Sequence, residues 1–133
     1  MIQEDKKLLL KDLCARLPFG VIVQLKYDKG TLVKRELGIG SLHDIMVNNA
    51  KGTPYLRSLD SMTEEERKEY YETMEKYTHR LYPNSADFSE HTEYLWTTET
   101  FDFLNANHFD YRGLIPMGLA IEVTEENNPY EHN

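Results

Sequence analysis

From Glu4 to Leu17 apolar residues return every three or four positions. Leu10, Leu13, Cys14 and Leu17 share one face, and Lys6, Lys7, Lys11, Asp12 and Arg16 occupy the others. This is the pattern of an amphipathic helix, ended by Pro18 and Gly20. The period then changes. GVIVQLKY and TLVKREL are dense in β-branched and aromatic residues and flank Asp28-Lys29-Gly30, so two strands joined by a glycine-containing turn are predicted. Pairing Tyr27 with Thr31 sets Leu25 opposite Val33 and Val21 opposite Leu37 on one face. The same register brings Val23 against Arg35, an apolar residue facing a charged one.

The next segment, SLHDIMVN, alternates with His43, Ile45 and Val47 on one side. It reads as the third strand of a meander, with a loop from Asn48 to Pro54 behind it. From Ser61, SMTEEERKEYYETMEKYTHRL is the clearest helix in the chain. Ser61 or Thr63 can cap it, with Glu64 or Glu66 three residues on to complete a capping box. Its apolar stripe is Tyr70, Met74, Tyr77 and Leu81, and Glu64/Lys68 and Glu72/Lys76 stand four apart in the favourable order. Tyr82 to Thr92 reads as a loop. A further helix starts near Thr97 or Thr98 and carries Phe101, Leu104 and His108 on one face. LAIEV alternates like a short last strand. With no internal repeat or linker, the expectation is one α+β domain over residues 1–123, a small antiparallel β-meander packed against three helices. Residues 124–133 are expected to fray.

Length and composition narrow the class. A chain of 133 residues suits a single core. A lone cysteine, Cys14, excludes an internal disulfide framework and a multi-thiolate zinc site. No apolar run approaches the roughly 20 residues that span a bilayer, and Met1 to Arg16 lacks the ordering of a signal peptide. A cytoplasmic protein with no membrane contact is expected.

Charge is divided unevenly. Through Ser58 there are ten basic and six acidic residues, net +4, and from Leu59 onward five basic and seventeen acidic, net −12. Either the two parts pack on each other and offset, or the acidic part faces solvent as a field that repels nucleic acid and attracts basic partners. Duplex binding needs a basic stripe that neutralises several phosphates. Here only the hairpin lysines Lys26, Lys29 and Lys34 with Arg35 offer one, against an acidic remainder, so a nucleic-acid partner is disfavoured.

Several constellations contain chemistry-bearing residues. Gly38-Ile39-Gly40 opens like a dinucleotide fingerprint but has His at position 43, and the next segment reads as a strand rather than the helix that a phosphate cradle needs. Cys14 sits among leucines, where a thiol stays protonated and inert. His43, His79, His91, His108 and His132 show no metal-ligand spacing, and no metal or other cofactor is expected. Ser41, His43 and Asp44 have the residue types of a hydrolytic triad without a nucleophile elbow. The densest cluster is His108-Phe109-Asp110-Tyr111-Arg112-Gly113. There Asp110 would orient His108, or Arg112 would bind an anionic group; alternatively Asp110 and Arg112 lock the helix exit while Phe109 and Tyr111 pack inward. Tyr55 and Arg57, in Pro54-Tyr55-Leu56-Arg57, form a second candidate surface of interface-favoured residue types.

The strings KLLLKDLCARLPFGVIVQL, PYLRSLDSMTEEE and FLNANHFDYRGLIPMGLAIEV, in that order, resemble a group of short uncharacterised proteins of gut Bacteroidetes and their prophages or phages. The resemblance implies no activity, cofactor or catalytic residue. What it implies is an accessory protein of a mobile or phage-associated gene neighbourhood. The functional expectation is therefore a small acidic non-enzymatic protein whose partner is another protein. The alternative is an enzyme or a small-ligand or phosphate binder using His108, Asp110 and Arg112, with Tyr111, Tyr55 and Arg57 nearby.

Overall fold

The computed structural model describes residues 2–81 and 96–131, without the side chains of 75–81. Helix α1 (Gln3–Arg16) leads through a single 3₁₀ turn into β1 (Ile22–Lys26) and β2 (Leu32–Glu36). Helix α2 (Ile39–Val47) and strand β3 (Lys51–Leu56) follow. Then come α3 (Glu64–Leu81), α4 (Thr98–Ala106) and β4 (Ile121–Glu122). The chain is an α+β protein. Among the described residues its sheet has the order β2-β1-β3-β4, with β1 antiparallel to both neighbours and β3 parallel to β4. The sheet is thus mixed rather than an antiparallel meander, and among the described residues four α-helices stand where three were expected. No helix among the described residues is long and apolar enough to cross a membrane.

The hairpin has the register expected from the sequence. Leu25 faces Val33 and Val23 faces Arg35, Tyr27 N–H donates to Thr31 O, and Leu37 N–H donates to Val21 O. The Val23–Arg35 pairing is tolerated because β2 is the sheet's edge. Val23 is fully buried while Arg35 is exposed to water. Val21, Val23 and Leu25 meet Leu9 and Leu13 of α1, Ile45 of α2, Leu56 of β3 and Leu114 in one core.

The predicted third strand is a helix, and the predicted loop behind it holds the true third strand. SLHDIMVN satisfies a helical period as well as an alternating one: Ser41 and Ile45, four apart, are the buried positions of α2, and His43 is exposed. Capping decides between them. Ser41 Oγ accepts from Gly38 N–H at 2.9 Å, and at the far end Asn48 and Ala50 N–H groups both converge on Asp44 O. Asn49, with φ 59°, takes the left-handed conformation that ends helices. In β3, Gly52 and Pro54 are poor strand formers. A Cβ at Gly52 would collide with Ile45 Cδ1, so glycine there lets α2 close on the sheet. Pro54 pairs with Val23 on one side only, because β4 joins from Tyr55 onward.

In α1 the buried positions are Leu9, Asp12, Leu13 and Arg16. The helix is therefore rotated from the expected stripe: Cys14 is exposed, not packed among leucines, and two charged residues are inside. In α3 the capping box is the Thr63–Glu66 one, with Glu66 N–H donating to Thr63 Oγ1 at 3.1 Å and Thr63 N–H to Glu66 Oε1 at 3.0 Å. Met74 is buried and Tyr70 half-buried; the side chains of Tyr77 and Leu81 and the loop Tyr82 to Thr92 lie outside the described residues. Helix α4 is capped by Thr97.

Residues beyond Val123 do not fray as far as Glu131. Tyr130 Oη donates to Tyr55 O at 2.7 Å and accepts from Ile22 N–H at 3.0 Å. Its ring stacks on His108 at 3.8 Å between centroids and 8° between planes. A half-buried aromatic ring with both roles of its hydroxyl used ties the strand ends to the last segment.

Candidate functional site

His108 stands just outside α4. Its N–H donates to Asn105 O, and Phe109 N–H reaches back to Leu104 O at 2.9 Å. These two bonds make a Schellman cap in which His108, at φ 63°, fills the left-handed position that glycine normally takes. A β-carbon there costs about 1 kcal/mol. Helical spacing from Phe101 and Leu104 does not reveal this, because the helix stops at Ala106. Beyond the cap the chain runs beside β3: Arg57 N–H donates to His108 O and Asp110 N–H to Arg57 O.

Asp110 is buried and its carboxylate accepts from two backbone amides, Leu114 N–H and Ile115 N–H, each at 2.9 Å. It serves the turn that follows it. Arg112 instead crosses the fold to α1, its Nη1 donating to Asp12 Oδ1 at 2.8 Å and to Tyr111 Oη at 3.0 Å. The other Asp12 oxygen accepts from Arg16 Nε at 2.7 Å, and Arg16 Nη2 donates to Phe109 O at 2.6 Å. Asp12 and Arg16 are wholly buried. The Tyr111 ring lies against both guanidinium groups, at 4.9 Å from Arg16 and 4.8 Å from Arg112, and its hydroxyl donates to Asn105 Oδ1. One carboxylate thus holds two guanidinium groups in the interior.

Two polar atoms of this hub are buried without a hydrogen-bond partner, Arg16 Nη1 and His108 Nδ1. Burial pushes the His108 imidazole down to about 4, and the positive charges of Arg16 and Arg57 add to that effect. The ring is neutral at neutral pH and a weak base. Arg57 is occupied elsewhere: it makes a bidentate pair with Glu66 at 2.7 and 2.6 Å and lies 4.3 Å over the Phe109 ring. This pair joins the end of β3 to the start of α3 and holds the Glu66 carboxyl below its ordinary range. Tyr55 is buried on β3, its hydroxyl 3.4 Å from Gln24 Oε1 with Lys34 over its ring. The structure therefore brings His108, Asp110, Tyr111 and Arg112 into one hub that also holds Asp12, Arg16 and Tyr130. Each acidic or cationic group is already engaged within the fold. Sequence reasoning missed Asp12 and Arg16, although their spacing of four on the Leu9–Leu13 face was a readable signal.

The packing of α3 on α4 makes a different kind of site. Thr73 and Thr100 hydroxyls meet at 2.9 Å and Thr97 Oγ1 lies 3.4 Å from Thr73 O, so small side chains form the seam between the helices. Beside it is a cavity of about 480 Å³ lined by Glu69 and Glu72 of α3, Glu99 and Asp102 of α4, and the Phe19 and Phe103 rings. The spacing of three within each pair places its two carboxylates on one helical surface. None of the four forms an ion pair among the described residues. Among the described residues only Arg57–Glu66 and Arg112–Asp12 join the basic part to the acidic part as ion pairs.

Among the described residues no three of His, Cys, Asp and Glu gather as a metal site. No family model, curated protein or solved structure matches the chain.

Proposed function

We propose that the protein is a non-enzymatic interaction protein whose α3–α4 groove receives a basic segment of another protein. The observation that carries this reading is the groove itself, lined by four carboxylates with no ion pair among the described residues and by two phenylalanines. A groove lined by acidic side chains attracts a cationic guest, whose aliphatic stems can cover the rings. Trp96 and Phe101, each more than a third exposed and in edge-to-face contact at 5.5 Å, add aromatic surface of the type that anchors interfaces. The resemblance to short phage-associated proteins accords with an accessory role of this kind. An exposed lone thiol, Cys14, suits the reducing cytoplasm as the place of action.

The test is affinity capture from host lysate at physiological salt, with the wild type beside a Glu72→Lys/Asp102→Lys variant. A protein recovered by the wild type and lost with the charge-reversed variant is the expected result. Equal recovery by both, or none by either, defeats the reading. The small-ligand alternative centred on His108, Asp110 and Arg112 has less support, because each Asp110 oxygen already accepts from a backbone amide and Arg112 is paired with Asp12.

A further inference from the structure

The edge strand β2 and the side of the sheet away from α1 and α2 carry charge of the sign opposite to the groove's. Val21, Val23 and Leu25 point into the core formed with those helices, so their alternating neighbours Gln24 and Lys26 point to the other side. The strand pairings bring Lys34 beside Gln24, and Leu32 and Lys51 beside Lys26, onto that same side. Lys34 Nζ reaches over it to 5.7 Å from the centroid of the Tyr55 ring. Arg35 projects from the opposite side of β2 and is also exposed. None of Lys26, Lys34, Arg35 and Lys51 forms an ion pair among the described residues. Two carboxylates flank the strand's cations, Asp28 in the turn and Glu36 at its last position.

The same register fixes where the backbone of β2 points. Tyr27 N–H donates to Thr31 O and Leu37 N–H to Val21 O, so the odd-numbered residues bond to β1. The N–H and C=O groups of Leu32, Lys34 and Glu36 therefore point out of the sheet. Among the described residues no strand takes them, because β2 ends the order β2-β1-β3-β4. The Leu32 side chain beside them is 58% exposed.

We propose that this edge takes up an extended acidic segment of another protein as an added strand outside β2. The segment's backbone bonds to Leu32, Lys34 and Glu36, and its alternate carboxylates meet Lys34 on one side of the sheet or Arg35 on the other. The surface shares no residue with the lining of the acidic groove, so it is a second docking place of opposite sign. A second copy of β2 is a poor occupant, because antiparallel pairing centred on Lys34 sets two lysines directly opposite each other. Single-stranded nucleic acid fits less well, because it needs exposed rings on which bases stack, and Tyr55, beneath Lys34, is only 8% exposed.

The probe is a capped peptide of about seven residues alternating glutamate and valine, titrated into the labelled full chain. Saturable binding is expected. Amide exchange should slow about ten-fold or more at Leu32, Lys34 and Glu36 and change little at Val33 and Arg35, which already bond to β1. Lys34→Glu/Arg35→Glu should weaken the peptide about ten-fold or more. Both side chains are exposed, so this variant keeps the fold, with its unfolding midpoint as the check. N-methylation of two adjacent central peptide residues removes one inward N–H in either register, keeps the charge, and should also abolish the protection. The Glu72→Lys/Asp102→Lys variant should give the wild-type exchange pattern, which separates this edge from the acidic groove. No saturable binding, protection that ignores the alternation, or equal affinity in the charge-reversed variant would overturn the proposal. So would oligothymidylate binding more tightly than the peptide at the same lysines, which would make the face a nucleic-acid surface.

Discussion

At the α1 hub, one carboxylate in the dry interior holds two guanidinium groups; in the α3–α4 groove, four carboxylates meet water and, among the described residues, hold none. The residue types are alike and the consequences opposite. A buried ion must be partnered inside the fold, because its desolvation cost is recovered only through close pairing and hydrogen bonds. Asp12, Arg16 and Arg112 are consequently structural, joining α1 to the segment after α4. An exposed ion costs little to leave unpaired, which is why the proposed reading gives these carboxylates, and not the buried ones, to a partner. Burial, more than composition, decides whether a charge must be partnered within the fold.

The widest gap between the two regions should appear on removing one carboxylate from each. Asp12→Ala strands a fully buried Arg16 and should cost about 3–5 kcal/mol. Asp102→Ala should change stability by no more than about 0.5 kcal/mol. Urea unfolding of both variants at neutral pH checks this, and similar costs would dissolve the distinction.

A smaller effect separates the hub from the groove by pH. The folded-state value of His108 lies at about 4 against an ordinary 6.5, so the unfolded chain takes up the proton first. Its contribution is complete above pH 6.5 and is lost as pH falls toward 4. After allowance for partial exposure the loss is on the order of 1–2 kcal/mol. His108→Asn keeps a residue that tolerates the left-handed conformation and should flatten this dependence. Unfolding midpoints of wild type and variant between pH 7 and pH 4.5 decide it; Glu66, also held below its usual range, acts at lower pH.

Local chemistry was legible where one period or one cap dominates. The Tyr27–Thr31 turn specified the hairpin register, and Thr63 with Glu66 marked the start of α3. Where two periods fit a short run, the wrong one prevailed: SLHDIMVN alternates, yet the Ser41 and Asn49 caps make it α2. Gly52 and Pro54 disguised β3, because their fit depends on Ile45 and on β4, which are distant in sequence. The hub was half visible. The cluster His108 to Arg112 stood out by composition, but its partners Asp12, Arg16 and Tyr130 are brought to it only by tertiary packing, and Asp12 and Arg16 broke the rule that charge faces water. The groove was foreshadowed by the net −12 segment without its location.

The central claim is that the exposed carboxylates, and not the buried hub, form the surface that meets a partner. Its most direct test is amide chemical-shift mapping of the labelled protein titrated with a short amphipathic lysine–leucine peptide. Saturable shifts concentrated around Glu69, Glu72, Glu99 and Asp102, weakening as salt rises, are predicted. Shifts concentrated at His108 to Arg112, or none that saturate, would contradict the account.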